Sequence, residues 1–504
     1  MNATGMTYRA CLKACGPQTE APIWANISQQ FNAWLLPSLA LISQLPFGSK
    51  QKISNLMSAV LTVGSPVLAG YSMILTEVTF PNAEDAVHIL ISLQQSPLRI
   101  THDDSLLSSL VVLPENDDWW SKTTELLNYN NTWSIATAIP IAWVIVAYLL
   151  TVFSSLSDVS ANINSNGQGT GSVWLWLVPI VIGWLQLSPK CDYERVQRAM
   201  KNASDLAFVA TNDGIAKASE ISKVRRAISI NITTEKPSSP DEDLTPPVSN
   251  YARGIPWSRS AEAVLDAFRM ASDDAKEYRP VKMGSIWVHS AKKDSIELCN
   301  RSGRPSEVDA YCKLLEDVEP SPWASEMFFR MFLASLPPLA LQWATTGAAV
   351  LVVWYTPTVG LGCRSLGYLL YGAMSTIVWG MLVSSSILSH YASSYPDSSG
   401  NYASLYPDKS ESSDRPGSPD SPGSPDRPRS PDRPESLFSS VHLAKVLADV
   451  LRWVGKFLVI VNAICIILTG MLQFTSVYDN CYCNASVLGL GMDGAYAVIF
   501  PSDA

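Results

Sequence analysis

MFLASLPPLALQWATTGAAVLVVWY (Met331–Tyr355) runs for twenty-five positions without a charged residue. Wound as a helix rising 1.5 Å per residue, it is about 37 Å long, enough to cross a hydrocarbon core about 30 Å thick. Five more stretches meet or nearly meet that length: Leu56–Leu75, Trp133–Phe153, Val173–Leu187, Ser365–Leu388 and Phe457–Val477. Val173–Leu187 is short, but the chain stays uncharged from Val159 to Pro189, so that helix has room to extend. A seventh candidate, Phe31–Phe47, is interrupted by Pro37 and Pro46. Proline is tolerated in a membrane helix when neighbouring groups satisfy the freed backbone.

Composition agrees. Of 504 residues 47% are hydrophobic and only 16% charged, with a net charge of -9; soluble chains carry about 25% charged residues. A secreted disulfide scaffold, an ordinary cytosolic enzyme and a wholly disordered chain are thereby excluded. Trp133, Trp174, Trp176, Trp354, Trp379 and Trp453 lie near the expected helix ends, where an amphipathic indole favours the headgroup region. The fold expected is an all-α polytopic transmembrane bundle of 6–7 spans, with a large, partly helical cytoplasmic loop and a disordered Ser/Pro/Asp linker. Residues 1–30 are an N-terminal segment, 31–77 two membrane helices and 78–132 an amphipathic membrane-proximal loop. Residues 133–187 hold two more helices, 188–329 the loop domain and 331–388 two further helices. The linker occupies 389–440, the last helix 441–477 and an external tail 478–504.

Charge sets the sidedness. Ser188–Phe329 holds 20 of the 36 Lys and Arg, and Lys445, Arg452 and Lys456 crowd the last span. By the positive-inside rule both regions are cytoplasmic. Seven spans then put the N-terminus inside and the tail outside; if Phe31–Phe47 does not cross, the N-terminus moves outside. Of seven glycosylation sequons (Asn2, Asn26, Asn130, Asn202, Asn231, Asn300 and Asn484), Asn484 is the one expected to be used. Asn2 and Asn26 become usable only with the N-terminus outside. Cys363, Cys481 and Cys483 fall on the outer side. A disulfide from Cys363 to one member of the Cys481/Cys483 pair and free or lipid-modified thiols are equal readings. Cys11 and Cys15 read as unpaired thiols with the N-terminus inside.

In the large loop, apolar spacing predicts helices over Tyr193–Ala210 and Ala261–Tyr278 and a third from Glu307, where Ser306 and Asp309 have the form of a capping box. KPSSPDEDLTPPVS (Lys236–Ser249) between the first two reads as a Pro-rich acidic connector. With 22 acidic against 20 basic residues the loop is no nucleic-acid platform. From Ser393 to Ser436, repeated SPD and DRP units have too little apolar content to fold.

Chemistry is sparse. None of five His is spaced to a second His or Cys as zinc requires, and no cofactor, metal or catalytic residue is assigned. Gly489, Gly491 and Gly494 match GxGxxG, but only ten residues follow, too few for a βαβ unit. Asp273, Asp274 and Glu277 have the DDxxE form of a magnesium–diphosphate motif, and Asn212, Asp213 and Glu220 resemble its second half. Ala216 replaces the required hydroxyl and the order is reversed, so these read as solvated faces. The spans lack the mid-membrane ionisable groups of proton-coupled pumps. A substrate cavity would be sought at Gly64, Pro66, Gly70, Pro337, Pro338 and Gly347.

LPSLALISQLPFGS (Leu36–Ser49), NLMSAVLTVGSP, LSSLVVLPENDDWW, GWLQLSPKCD, NYARGIPW and YDNCYCNASVLGLG together resemble uncharacterised multi-pass integral membrane proteins of filamentous fungi. The resemblance spans most of the chain outside the linker and implies no activity and no site residues. The leading expectation is a non-enzymatic membrane protein, in the plasma membrane or an endomembrane. It would bind, move or organise a small molecule or protein partner through its loop, with the lipid bilayer as its constant partner and no nucleic acid. The alternatives are an accessory protein or enzyme of a fungal secondary-metabolite pathway and a membrane scaffold.

Overall fold

The structure, a computed structural model, describes residues 4–16, 35–44, 52–65, 84–101, 105–128, 135–157, 172–221, 226–230, 239–244, 247–289, 296–312, 327–355, 360–394, 435–472, 476–484, 487–492 and 495–499, with Phe31 and Trp323. It is mostly helical. In chain order the elements are β1 (Thr4–Thr7), α1 (Tyr8–Cys15), α2 (Leu36–Ile42), α3 (Lys52–Gly64), α4 (Glu84–Leu93), β2 (Arg99–Ile100), α5 (Leu106–Val112), α6 (Asp117–Leu127), α7 (Ile135–Ser157) and α8 (Leu177–Cys191). There follow α9 (Tyr193–Ser204), β3 (Phe208–Thr211), β4 (Gly214–Lys217), α10 (Ala218–Ile221), β5 (Ile228–Ser229), α11 (Asn250–Lys276) and α12 (Pro305–Cys312). The chain continues through α13 (Met327–Tyr355), α14 (Cys363–Ser394), α15 (Glu435–Leu472), α16 (Cys481–Asn484), α17 (Val487–Leu490) and β6 (Ala495–Ile499).

Three helices are long and apolar enough to cross a membrane: Met327–Tyr355, Cys363–Ser394 and Ser440–Leu472 within α15. The expected six to seven spans are therefore corrected to three among the described residues. The other apolar stretches are as follows among the described residues. Among the described residues of Phe31–Phe47 the α-helix covers Leu36–Ile42, with Pro37 in the first turn. The Leu56–Leu75 run stops as a described helix at Gly64, and 66–75 lie outside the described residues. α8 begins at Leu177 and has fifteen residues, because Val173–Trp176 form turns before it. α7 is a 23-residue helix without a charged residue, within which Ala138–Leu150 is an apolar stretch.

These helices are inside-out relative to a water-soluble protein. Trp453 and Phe457 of α15 are 72% and 63% exposed, and Phe329, Phe332, Leu351 and Leu468 also face outward. Inside, α14 presents Ser365, Ser375, Ser385, Ser386 and Ser389, and α15 presents Asn462. Apolar surface on this scale needs lipid against it. Small residues let the backbones close: a Cβ on Gly455 would stand 3.0 Å from Leu382 Cδ2, and one on Gly367 3.2 Å from Thr469 Cγ2.

A second body, the loop domain, forms from two stretches separated by α7 and α8. α4, β2, α5 and α6 share one core with α9 to α12, from Ala86, Ile89 and Leu110 to Met200, Val264 and Val308. Residues 84–101 and 105–128 thus share one core with the described residues of 188–312 and are not a separate layer. Asn116 stitches them: its side-chain oxygen accepts from Phe208 N–H at 2.8 Å, and its amide donates to Phe208 O at 3.0 Å and Ser109 O at 2.8 Å. Trp257 Nε1 donates to Leu90 O at 2.9 Å, and β2 pairs antiparallel with β5, Arg99 opposite Ser229.

Local chemistry shapes the domain. Asp192 caps α9 by accepting from Arg195 N–H at 3.2 Å, and Lys201 lies in its last turn, both favourable to the helix dipole. α9 ends at Ser204. The Tyr193–Ala210 helix is corrected there: Phe208–Thr211 is a strand, turned by Asn212–Asp213 into β4. Gly214, at φ +128°, closes that turn in a conformation open to glycine. α11 starts eleven residues before Ala261 and carries Pro256 inside. The Ser306/Asp309 capping box is also corrected. Glu307 reaches back to Arg304 N–H at 2.8 Å and across to Met283 N–H at 3.1 Å, while Asp309 accepts from Ser105 Oγ at 2.6 Å. Residues 395–434 of the expected linker lie outside the described residues.

Candidate functional site at the junction of loop domain and bundle

The acidic segment Ser239–Leu244 (SPDEDL) is compact, with Glu242 N–H donating to Ser239 O at 3.1 Å and Leu244 N–H to Asp241 O at 3.3 Å. Two of its three carboxylates are shut off from water. Asp241 is 3% exposed and Glu242 2%. Within the stretch read as a Pro-rich acidic connector, this segment is the contact between loop domain and bundle.

Its counter-charges arrive from three places in the chain. Lys456 of α15 lies 2.5 Å from Asp241 Oδ1, and Tyr251 of α11 donates its hydroxyl to Asp241 Oδ2. Arg99 of β2 pairs with Glu242 and, at 3.3 Å, with Asp243. Arg253, 1% exposed, donates to Leu244 O, and Arg452 pairs with Asp449 one turn along α15. Four carboxylates face four cations. Burial, and next the charge of Asp241, holds the Tyr251 phenol well above its usual range, so it stays a neutral donor. Burial also raises Asp243, against the opposing pull of Arg99, with Glu242 adding to the rise.

The level is set by geometry. The twenty residues from Trp453 to Leu472 are about 30 Å long, the thickness of a hydrocarbon core; Arg452 lies just before this stretch and Lys456 one turn inside its start. Buried ion pairs add little net stability, since desolvation offsets their attraction; their better-attested use is fixing register and switching. This network can hold one face of the loop domain against one face of α15 and sense displacement of either.

Deeper in the bundle, α3 ends among α14 and α15. Its terminal carbonyls, unsatisfied within the helix, are taken by side chains: Tyr371 OH donates to Val63 O at 2.7 Å and Asn462 Nδ2 to Gly64 O at 2.8 Å. Ser65 Oγ donates to Ser375 O at 3.0 Å. A Cβ on Gly64 would meet Val459 O at 2.5 Å. Of the positions singled out for a cavity, Gly64 thus lies at a helix end inside the bundle. Pro337 and Pro338 lie within the unbroken α13, and Pro66 and Gly70 are outside the described residues.

At the opposite end a cap joins both termini. β1 pairs antiparallel with β6, Cys11 is bonded to Cys481 and Cys363 to Cys483. The unpaired reading of Cys11 is corrected. So is the seven-span arrangement, which puts residues 1–30 and the tail on opposite faces, because a disulfide and a strand pair join them. Asn484 ends α16 in this cap.

The remaining candidates do not assemble. Asp273 pairs with Lys276 at 3.1 Å, Asp274 with Arg279 at 3.1 Å and Glu277 with Arg279. Asp213 sits in the β3–β4 turn and Glu220 on α10, with Ala216 on β4. Among the described residues no three His, Cys, Asp or Glu side chains group as metal ligands. Gly489 packs against Leu361 and Gly491 follows α17 at φ +76°; Gly494 lies outside the described residues. Of the other sequons, Asn300 is buried, donating to Val288 O at 2.7 Å, and Asn202 is exposed on α9. Sequence reasoning missed Arg99, Asp241, Tyr251 and Arg253. Their signal was three consecutive acids beside NYARGIPW, a segment with buried-type residues and one arginine. No protein-family model, curated protein or solved structure matches the chain.

Proposed function

We propose that the chain is a non-enzymatic, multi-pass integral membrane protein whose cytoplasmic domain receives a ligand and is geared to the helical bundle, so that occupation of the domain biases the packing of the helices. The observation that carries this reading is the buried network of Asp241, Glu242, Arg99, Tyr251 and Lys456, which ties two loops to α15 at the membrane boundary. The end of α3 between Tyr371 and Asn462 supplies a second element. Helix ends inside bundles are where transporters place substrate groups and hinge points. The charge bias of the loops and the disulfide-linked cap, at home in an oxidising compartment, support the same sidedness.

The test is a gene deletion, complemented by the parent chain or by Lys456→Met, with small molecules compared inside cells and in the medium. The expected result is one compound that builds up inside and disappears from the medium in the deletion, restored by the parent and not by the variant at equal protein level. Replacement of a product by a simpler precursor refutes the non-enzymatic reading. An unchanged pool on both sides refutes small-molecule movement.

A further inference from the structure

A cleft of about 500 Å³ opens on the loop domain between α9 and β5, within the size range of small-ligand sites. Its walls carry three cations, Arg198, Lys201 and Arg226, and one carboxylate, Asp205. Arg198 and Lys201 are three residues apart on α9, hence on one face, and the stripe Val196, Ala199, Met200 and Ala203 buries the other. Arg198 Nε donates to Glu194 O at 3.3 Å, which steadies its guanidinium. Arg226 comes from the opposite wall, two residues before β5.

We propose that this cleft binds a phosphate monoester, a proposal that rests on the ligand-receiving role put forward above and names the chemistry of that ligand. Among the described lining residues three positive charges stand against one negative, and a phosphate monoester at about -1.5 to -2 meets that excess more fully than a single carboxylate does. Arginine forks and a lysine ammonium are the side chains that recognise phosphate oxygens. The site also has a direct line to the junction. Ser229, on the cleft wall, is the strand partner of Arg99, and the Arg99 side chain holds Glu242 and Asp243. A ligand drawing β5 toward α9 therefore pulls on the residue that anchors the acidic segment. Two sources carry the same phosphate chemistry, a lipid headgroup and a soluble phosphorylated molecule, and the two arms of the test separate them.

The full chain in phosphatidylcholine nanodiscs is titrated with soluble inositol 1,4-bisphosphate. In a second arm the nanodiscs contain a few per cent phosphatidylinositol 4-phosphate. Saturable binding is expected, and Lys201→Gln or Arg226→Gln weakens it at least about tenfold, as loss of a charge-assisted hydrogen bond does. Lys276→Gln, at an exposed position in the last turn of α11, leaves it unchanged. Binding in the soluble arm assigns a soluble phosphate ester, and binding only with the lipid assigns a headgroup; either supports the site. No binding in both arms, or variants within about twofold of the parent, overturns it. Deuterium exchange of Ser239–Leu244 is read in the same samples. If Lys456→Met alters that exchange while no phosphate binds, the cleft proposal falls alone. If phosphate binds without changing that exchange, the gearing falls and the phosphate site stands.

Discussion

Replacing Lys456 by methionine removes the ammonium 2.5 Å from Asp241 Oδ1 and keeps the apolar stem. Asp241 then retains the Tyr251 hydroxyl as a neutral donor, in a setting where its side chain is 4% exposed. Removing one partner of a buried pair costs about 3–5 kcal/mol, because the remaining charge is left uncompensated. The Lys456 side chain is 22% exposed, so water recovers part of this and about 3 kcal/mol is the expected loss. At 1.4 kcal/mol per factor of ten, local opening of Ser239–Leu244 should rise about a hundredfold. Hydrogen–deuterium exchange in nanodiscs reads this directly, at the Glu242 and Leu244 amides bonded within the segment. Pairing Lys456→Met with Asp241→Leu removes both charges and should return most of the loss. The reasoning fails if the single change costs under about 1 kcal/mol, the range of an exposed pair, or if the double variant loses the sum of the two singles.

Asn116→Ala deletes three hydrogen bonds and leaves the Phe208 backbone unsatisfied in the core. A loss of about 2–4 kcal/mol should appear in the thermal unfolding of the loop domain, and a loss below 1 kcal/mol would contradict a core shared by the two loops. Gly64→Ala drives a methyl group into the Val459 backbone and should lower stability by about 1–3 kcal/mol, whereas Gly380→Ala, with nothing within 4 Å, should be silent. Equal thermal shifts for the two would refute the close approach of α3 to α15. Burial, and then the charge of Asp309, pushes the Cys312 thiol up to about 12. At pH 8 about one molecule in ten thousand carries the thiolate, so iodoacetamide should label exposed Cys299 and spare Cys312 until the chain is unfolded. Peptide mass spectrometry showing equal labelling in the folded protein would disprove it.

The long helices were legible because their signal is local: twenty or more uncharged residues leave one economical solution in lipid. The junction was not, because its meaning lies in pairs far apart in sequence. Asp241 and Lys456 are 215 positions apart and Arg99 and Glu242 143. Alone, SPDEDL has the composition of a solvated turn, and only the arrival of α15 and β2 makes it an interface. The same holds for Ser105–Val112, whose apolar run reads as a membrane-surface piece until α11, α12 and β3 cover it. The strand Phe208–Thr211 was hidden because Leu206 and Val209 continue the helical spacing of α9, while the Asn212–Asp213 turn overrides it. Cys11 carried no local sign of its partner.

That partner sits 470 residues downstream. At about 5–20 residues per second, synthesis from Cys11 to Cys481 takes roughly half a minute to a minute and a half. Throughout that interval the Cys11 thiol waits without its mate, open to exchange with any other thiol in the compartment. A chain that stalls in α15 therefore leaves β1 without β6 and Cys11 without Cys481. The Cys11–Cys481 bond thus reports that every helix lying between the two residues has been synthesised.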